Sequence, residues 1–225
     1  MLTATYTLVA LSVEQANVRL SVLSFQKYVQ STLTRQQSLT LAQLEYACET
    51  LERLYQACSW RKVELYLIPA LRQATQRADQ LLDELSRLNG LALDVVRRLK
   101  DRAAPRHEEG GDPGQDPQIA HVATFCEAID SFCTTLLQRL EKEEKELFAI
   151  ARSAICGDAW FAIANKLLAH DAQVAEARRS GTDDATVISL VPRLAPPAEP
   201  VDAIDVRMPA VRARARALPR VAGAD

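Results

Sequence analysis

Apolar residues recur at steps of three and four along four long stretches of the chain, the spacing of helices that each bury one face. In the first stretch Leu8, Leu11, Val18, Val22, Phe25 and Val29 share one side of a helix expected from about Val9 to Leu33, and Gln15 is the polar member of that seam. Ser38 and Thr40 offer N-caps for a second helix, about Leu41 to Gln73, with Leu44, Cys48, Leu51, Tyr55, Ser59, Val63 and Tyr66 on one side. Pro69 is expected to kink that helix or end it near Ile68, because proline removes a hydrogen bond and clashes with the preceding turn. A third helix, roughly Ala74 to Arg102, carries Leu82, Leu85, Asn89, Ala92, Val96 and Leu99, so Asn89 falls where Gln15 fell. The fourth, about Ile119 to Ile155, carries Phe125, Ile129, Phe132, Leu136, Leu140 and Leu147. Gly157 and Asp158 then mark a stop and a fresh N-cap for a short fifth helix, Ala159 to about Arg178, expected to close one end of the assembly.

The fourth helix contains the feature that most needs explaining. Arg139 and Glu143 stand four residues apart along its apolar stripe. A charged pair on a core-facing seam costs several kcal/mol of desolvation per ion unless each finds a partner. The simplest arrangement is an internal ion pair between the two, with Gln15, Asn89 and Ser59 supplying the remaining donors and acceptors.

Composition supports helices over strands: 48% of the 225 residues are hydrophobic, and glycine and aromatic residues are sparse, at 7 residues and 5%. One bundle is expected over residues 1–178, with a Gly-, Pro- and charge-rich linker at 103–118 (AAPRHEEGGDPGQDPQ) between its two hairpins. Residues 179–225 have prolines and alternating small residues without a helical seam and read as a mostly disordered tail. Arg207, Arg212, Arg214, Arg216 and Arg220 make its end locally basic, a lesser argument for contact with nucleic acid or an anionic surface. A formal net charge of −2 gives no overall electrostatic case for such partners. The N-terminal stretch MLTATYTLVALSVEQ lacks a basic leader and a clear cleavage site, and no apolar run reaches the roughly 20 residues that would span a bilayer, so a cytoplasmic protein is expected.

Candidate chemistry is thin. Cys48, Cys58, Cys126, Cys133 and Cys156 form an odd set without a CxxC pair, which fits buried thiols better than a disulfide framework or a thiolate zinc site. His107 belongs to the linker, His121 to the start of the fourth helix and His170 to the end of the fifth, all out of register with the polar seam positions. No base histidine stands near Cys133, and no catalytic residue is expected.

Two phrases repeat. Leu11-Ser12-x-x-Gln15 answers Leu85-Ser86-x-x-Asn89, and Lys62-Val63-Glu64-x-x-Leu67-Ile68-Pro69 answers Lys142-Glu143-Glu144-x-x-Leu147-Phe148-Ala149, as in two linked helix pairs packed into one bundle. The stretch KEEKELFAIARSAICGDAWFAIANKL is similar to the one that closes bacterial hemerythrin-like (HHE cation-binding) domains, and KVELYLIPALRQATQRADQLLDEL resembles the matching phrase of their first hairpin. The resemblance covers about residues 5 to 175. It implies an all-α, up-and-down four-helix bundle with a short fifth helix and a di-iron centre held by histidines and bridging carboxylates. Carried across, the ligand positions become Gln15, Ser59, Val63, Asn89, Arg139 and Glu143, so Glu143 alone keeps a ligand-type side chain. That set is too poor for two irons, and a permanently charged guanidinium would sit in the former cation site. The expectation is therefore a non-catalytic, hemerythrin-like binding or regulatory module without cofactor, acting on a protein partner not named by the sequence. The alternative is a metal- or small-ligand-binding protein of oxygen, nitric oxide or iron sensing, for which a single-metal site using Glu143 and Glu144 is the remaining option.

Overall fold

The computed structural model describes residues 2–103 and 117–180, and every regular element among them is helical. The expected linker at 103–118 lies almost wholly outside the described residues, as does the expected tail. Arg179 and Ser180, assigned to the tail from the sequence, instead complete the last helix.

Helix α1 spans Leu2–Ser31 and runs into a 3-10 turn, Leu33–Arg35. Helix α2 spans Leu41–Ser59; Thr40 caps it by accepting a 3.3 Å hydrogen bond from Gln43 N, while the Gln43 side chain accepts from Thr40 N at 2.9 Å. The helix expected to continue to Gln73 stops at Ser59. A π-helical turn, Val63–Leu67, and helix α3, Ile68–Ala74, follow it. Pro69 therefore sits in the first turn of α3, where a missing N–H is tolerated, and the break lies upstream at Trp60 and Arg61. A 3-10 turn, Gln76–Ala78, leads into α4, Asp79–Ala103. Helix α5 spans Pro117–Lys142, followed by a second π turn, Glu143–Leu147, helix α6, Phe148–Ala154, and helix α7, Gly157–Ser180.

The repeat seen in the sequence is repeated in backbone geometry. Each π turn is closed by an i to i+5 bond, from Ile68 N to Val63 O and from Phe148 N to Glu143 O, and each leads into a seven-residue helix. A π turn inserts one extra residue and so shifts the phase of every side chain beyond it, which is why such turns often mark sites where a helix has to present a particular residue.

Packing follows the apolar seams. Helix α1 lies against α2 and α5, and α4 lies against the same two helices. Helix α7 rests on α1 and the first π turn, held there by a 3.0 Å hydrogen bond between Tyr66 Oη and His170 Nδ1 and an ion pair of 2.6 Å between Lys62 and Asp171. His170, expected in a surface or capping role, is half-buried as the partner of Tyr66. The buried face of α2 is turned from the expected seam: Leu51, Leu54 and Cys58 are fully enclosed while Tyr55 and Ser59 are half-buried.

The apolar interior is divided in two. A larger cluster draws on α2, α5 and the C-terminal halves of α1 and α4, with Phe25, Leu51, Leu54 and Phe132 at its centre. A smaller one joins the N-terminal ends of α1 and α4 to the π turns, α3, α6 and α7, through Leu11, Leu67, Leu71, Leu85, Leu147 and Trp160. Along α1 the change occurs between Leu11 and Val18, along α4 between Leu85 and Ala92, and along the two π-turn strands of the chain between Cys58 and Val63 and between Leu140 and Leu147. What lies at that height is polar.

Candidate functional site

Glu143 is at the centre of the polar layer and has no exposure to solvent. Arg61 grips it with both ends of the guanidinium, Nη1 to Oε2 at 2.8 Å and Nη2 to Oε1 at 2.7 Å, while Arg61 Nε donates to Cys58 O at 3.0 Å. This fork uses the planar donor array of arginine fully and is the strong form of a charge-assisted bond. Gln15 Nε2 adds a third donor to the carboxylate, 2.6 Å from Oε2. The amide oxygen of Gln15 is buried and has no hydrogen-bond partner among the described residues.

Arg139 is nearly as deeply enclosed, at 2% exposure, but it is not the main partner of Glu143. Its Nε comes within 3.2 Å of Glu143 Oε1 without aligning for a hydrogen bond, so the expected pair exists as a charge contact only. Nη1 donates to Asn89 Oδ1 at 2.7 Å and Nη2 to Glu64, and Asn89 meets Ser59 Oγ at 3.4 Å. The layer thus pairs two cations with two carboxylates, Arg61 and Arg139 with Glu143 and Glu64.

Of the residues singled out in the sequence, Gln15, Asn89, Arg139 and Glu143 are joined in one hydrogen-bonded and charged cluster, with Ser59 at its edge. Val63 is fully buried in the smaller apolar cluster and takes no part. Glu144 points away, to an ion pair with Arg19 on the surface, so it does not converge with Glu143. His121 has no described side chain, and His107 lies outside the described residues.

Arg61 and Glu64 were missed from the sequence. At the 80-residue offset of the repeat, Arg61 corresponds to Glu141, which is on the outside of an unbroken α5 in an ion pair with Lys145. Helix α2 instead ends beneath Trp60, whose φ of −109° and ψ of 15° leave the helical region, and the chain turns Arg61 inward. The sequence carried one signal, the exposed-type pair Trp60-Arg61 at the end of an apolar seam.

The electrostatics follow from this geometry. Burial by itself would push the Glu143 carboxyl up, but the Arg61 charge and hydrogen bonds, then Arg139 and Gln15, outweigh it and hold the carboxyl below the usual range. Burial pulls Arg139 down from its ordinary value, opposed by Glu143 and aided by Arg61. For Arg61 the Glu143 contacts overcome burial and raise it. Glu14 accepts from Lys62 N at 3.0 Å and is raised by burial against the pull of Lys62. Nearby thiols do not help any reaction: burial pushes up Cys58, and burial followed by Asp130 pushes Cys133 up to about 12.

These residues do not fit a di-iron centre. Both oxygens of Glu143 are already engaged by guanidinium, and two enclosed cations would repel a metal ion. Among the described residues no three of His, Cys, Asp and Glu converge as a ligand group. No family model, curated protein or solved structure matches this chain.

Arg61→Ala leaves Glu143 without its main partner and should lower unfolding free energy by about 3–5 kcal/mol. Arg139→Ala, which leaves the fork intact, should cost less; urea titration of both variants checks the order, and a larger loss for Arg139→Ala would refute it. Acid gives an independent reading. Because the folded Glu143 carboxyl lies below its unfolded value of about 4.3, the stability it contributes is present above that pH and is lost as pH falls through the folded value. The stability gap between wild type and Glu143→Gln should accordingly be constant near neutrality and narrow below about pH 4, as followed by denaturant titration at stepped pH.

Proposed function

We propose that this protein is a hemerythrin-like four-helix bundle whose central cation site has been converted into a structural ion-pair layer, and that it works as a non-catalytic binding or regulatory module. The observation that carries this reading is the Arg61–Glu143 fork. The one carboxylate that could serve a metal is satisfied internally, and guanidinium groups fill the centre of the layer. The bundle itself is supported by the way α1, α2, α4 and α5 pack, each against two of the others. The 80-residue repeat of π turn and seven-residue helix supports a pair of related hairpins.

The proposed role is non-catalytic. In the buried layer Arg61 holds the Glu143 carboxylate ionised and burial pushes the Cys58 thiol up, so neither is poised as the base or the nucleophile of a reaction. Regulation or binding would then use the outer surface, with the interior serving to hold the helices in one alignment. No helix among the described residues is long and apolar enough to cross a membrane, in keeping with a proposed site of action in the cytoplasm on a protein partner.

Mass spectrometry of metal content, with an absorbance spectrum, on protein purified without chelator from iron-replete cells should return near-zero iron and no visible bands. About two irons per chain would overturn the proposal and restore a role in oxygen, nitric oxide or iron sensing. The register can be checked by reconstruction. Gln15→His, Ser59→His, Val63→Glu, Asn89→His and Arg139→His together should bind little iron while Arg61 still holds Glu143. Adding Arg61→Leu should release that carboxylate and raise iron uptake; a folded six-fold variant that stays metal-free would count against the hemerythrin-like register.

A further inference from the structure

Helix α1 has two apolar faces. The inner one, through Leu11, Val18, Val22, Phe25 and Val29, is buried in the bundle. The outer one carries Leu2, Tyr6, Val9, Val13, Leu20 and Leu23, all exposed, with Leu2 at 74%, Tyr6 at 69% and Leu20 at 62%. Exposed Ala16 fills the gap between Val13 and Leu20, so the outer series advances by alternating steps of four and three from Leu2 to Leu23 without a slip. This is the heptad spacing of a helix seam that packs against another helix, continued for three heptads. A helix that met solvent on this side would be expected to carry charge there. From Leu2 to Ser24 no exposed residue of α1 is charged. Glu14 and Arg19, the charged residues in that span, are half-buried and engaged inward or sideways, with Lys62 N and Glu144.

We infer that the outer face of α1 is a homodimer interface, covered by the same face of a second copy of this chain. Three considerations select that occupant. A two-fold pairing brings the stripe onto itself, which demands self-complementarity, and an uncharged apolar stripe meets this without like-charge repulsion. Its exposed apolar area is on the order of 600 Å² per copy, at the upper end of the largest patches that isolated chains expose and close to the roughly 800 Å² per partner of a stable interface once flanking polar residues are counted. The heptad rhythm over about 32 Å of helix suits another straight helix rather than a loop or an irregular groove. A membrane surface is the poorer match, because interfacial helices flank their apolar face with lysine and arginine, and α1 exposes neither before Lys27.

Sedimentation equilibrium on the full chain across the micromolar range should show a dimer. The double variant Val13→Glu, Leu20→Glu should sediment as a monomer, its dissociation constant weakened roughly 30-fold or more, with helical circular dichroism kept and a melting temperature matching wild type diluted to its monomer, because both positions are exposed in one copy and the dimer adds stability only by mass action. Should that variant lose helicity, Val9→Lys gives the same reading with a single charge. A monomeric wild type, or a dimer that survives the substitutions, overturns the inference. So does a monomeric wild type that pellets with phosphatidylglycerol vesicles, which would assign the face to a lipid surface. A variant that melts below wild type diluted to its monomer would show that the same chain covers its own α1, and would overturn it equally.

Discussion

A carboxylate enclosed in an apolar helical interior has to be answered by cations, and the polar layer between the two apolar clusters of this protein is arranged to answer Glu143. Arg61, just past the end of α2, supplies the fork, Gln15 from α1 the third donor, and Arg139 from the last turn of α5 a second positive charge that is itself held by Asn89 of α4 and by Glu64. Helices α1, α4 and α5, the segment just past α2 and both π turns therefore contribute to one layer. Replacing such a layer with apolar side chains is often neutral or stabilising in other proteins, so stability alone does not account for it. Its geometric effect is on alignment. A helix that slid by one turn would leave a buried ion without its partner, whereas apolar seams tolerate repacking far better.

The backbone irregularities act in the same place. The chain between α2 and α3 leaves the helix at Trp60 and resumes through a π turn, and the interruption turns Arg61 from the outer side of a helix into the core. At the second π turn Glu143 is the first residue, at the point where the apolar cluster on one side gives way to that on the other. Both departures from regular helix lie where the core is polar, and both are followed by short helices that contact each other, α3 and α6. The result is a closed centre. Guanidinium groups fill the space around the carboxylate, the enclosed thiols are pushed away from their reactive form, and the solvent-facing surface lies outside this arrangement.

That surface is uneven. Helix α1 carries an apolar seam on two opposite sides over its first three quarters, where a helix at the boundary of a single copy would carry one. Within one copy, α2, α5 and α7 cover its inner side and nothing among the described residues encloses the outer stripe. The buried layer and the outer stripe thus solve different problems on a single helix. Gln15 fixes where α1 sits among the helices of its own copy, and Val13 and Ala16, facing outward at the same height, are placed to fix where it sits against a neighbour.

The sequence by itself determined the helical class, the seams of α1, α4 and α5 and the polar positions within them, because period and polarity are local properties of a chain. It revealed Gln15, Asn89, Arg139 and Glu143 as residues at odds with their surroundings, and an 80-residue repeat that the backbone reproduces. It did not reveal Arg61, since periodicity assumes an unbroken helix and places that residue outside, with its counterpart Glu141. Nor did it set the pairing: Arg139 and Glu143 are neighbours by spacing, yet the carboxylate turns to Arg61 and the guanidinium to Asn89 and Glu64. Which cation answers which anion depends on distances between helices, and those exist only once the chain has packed.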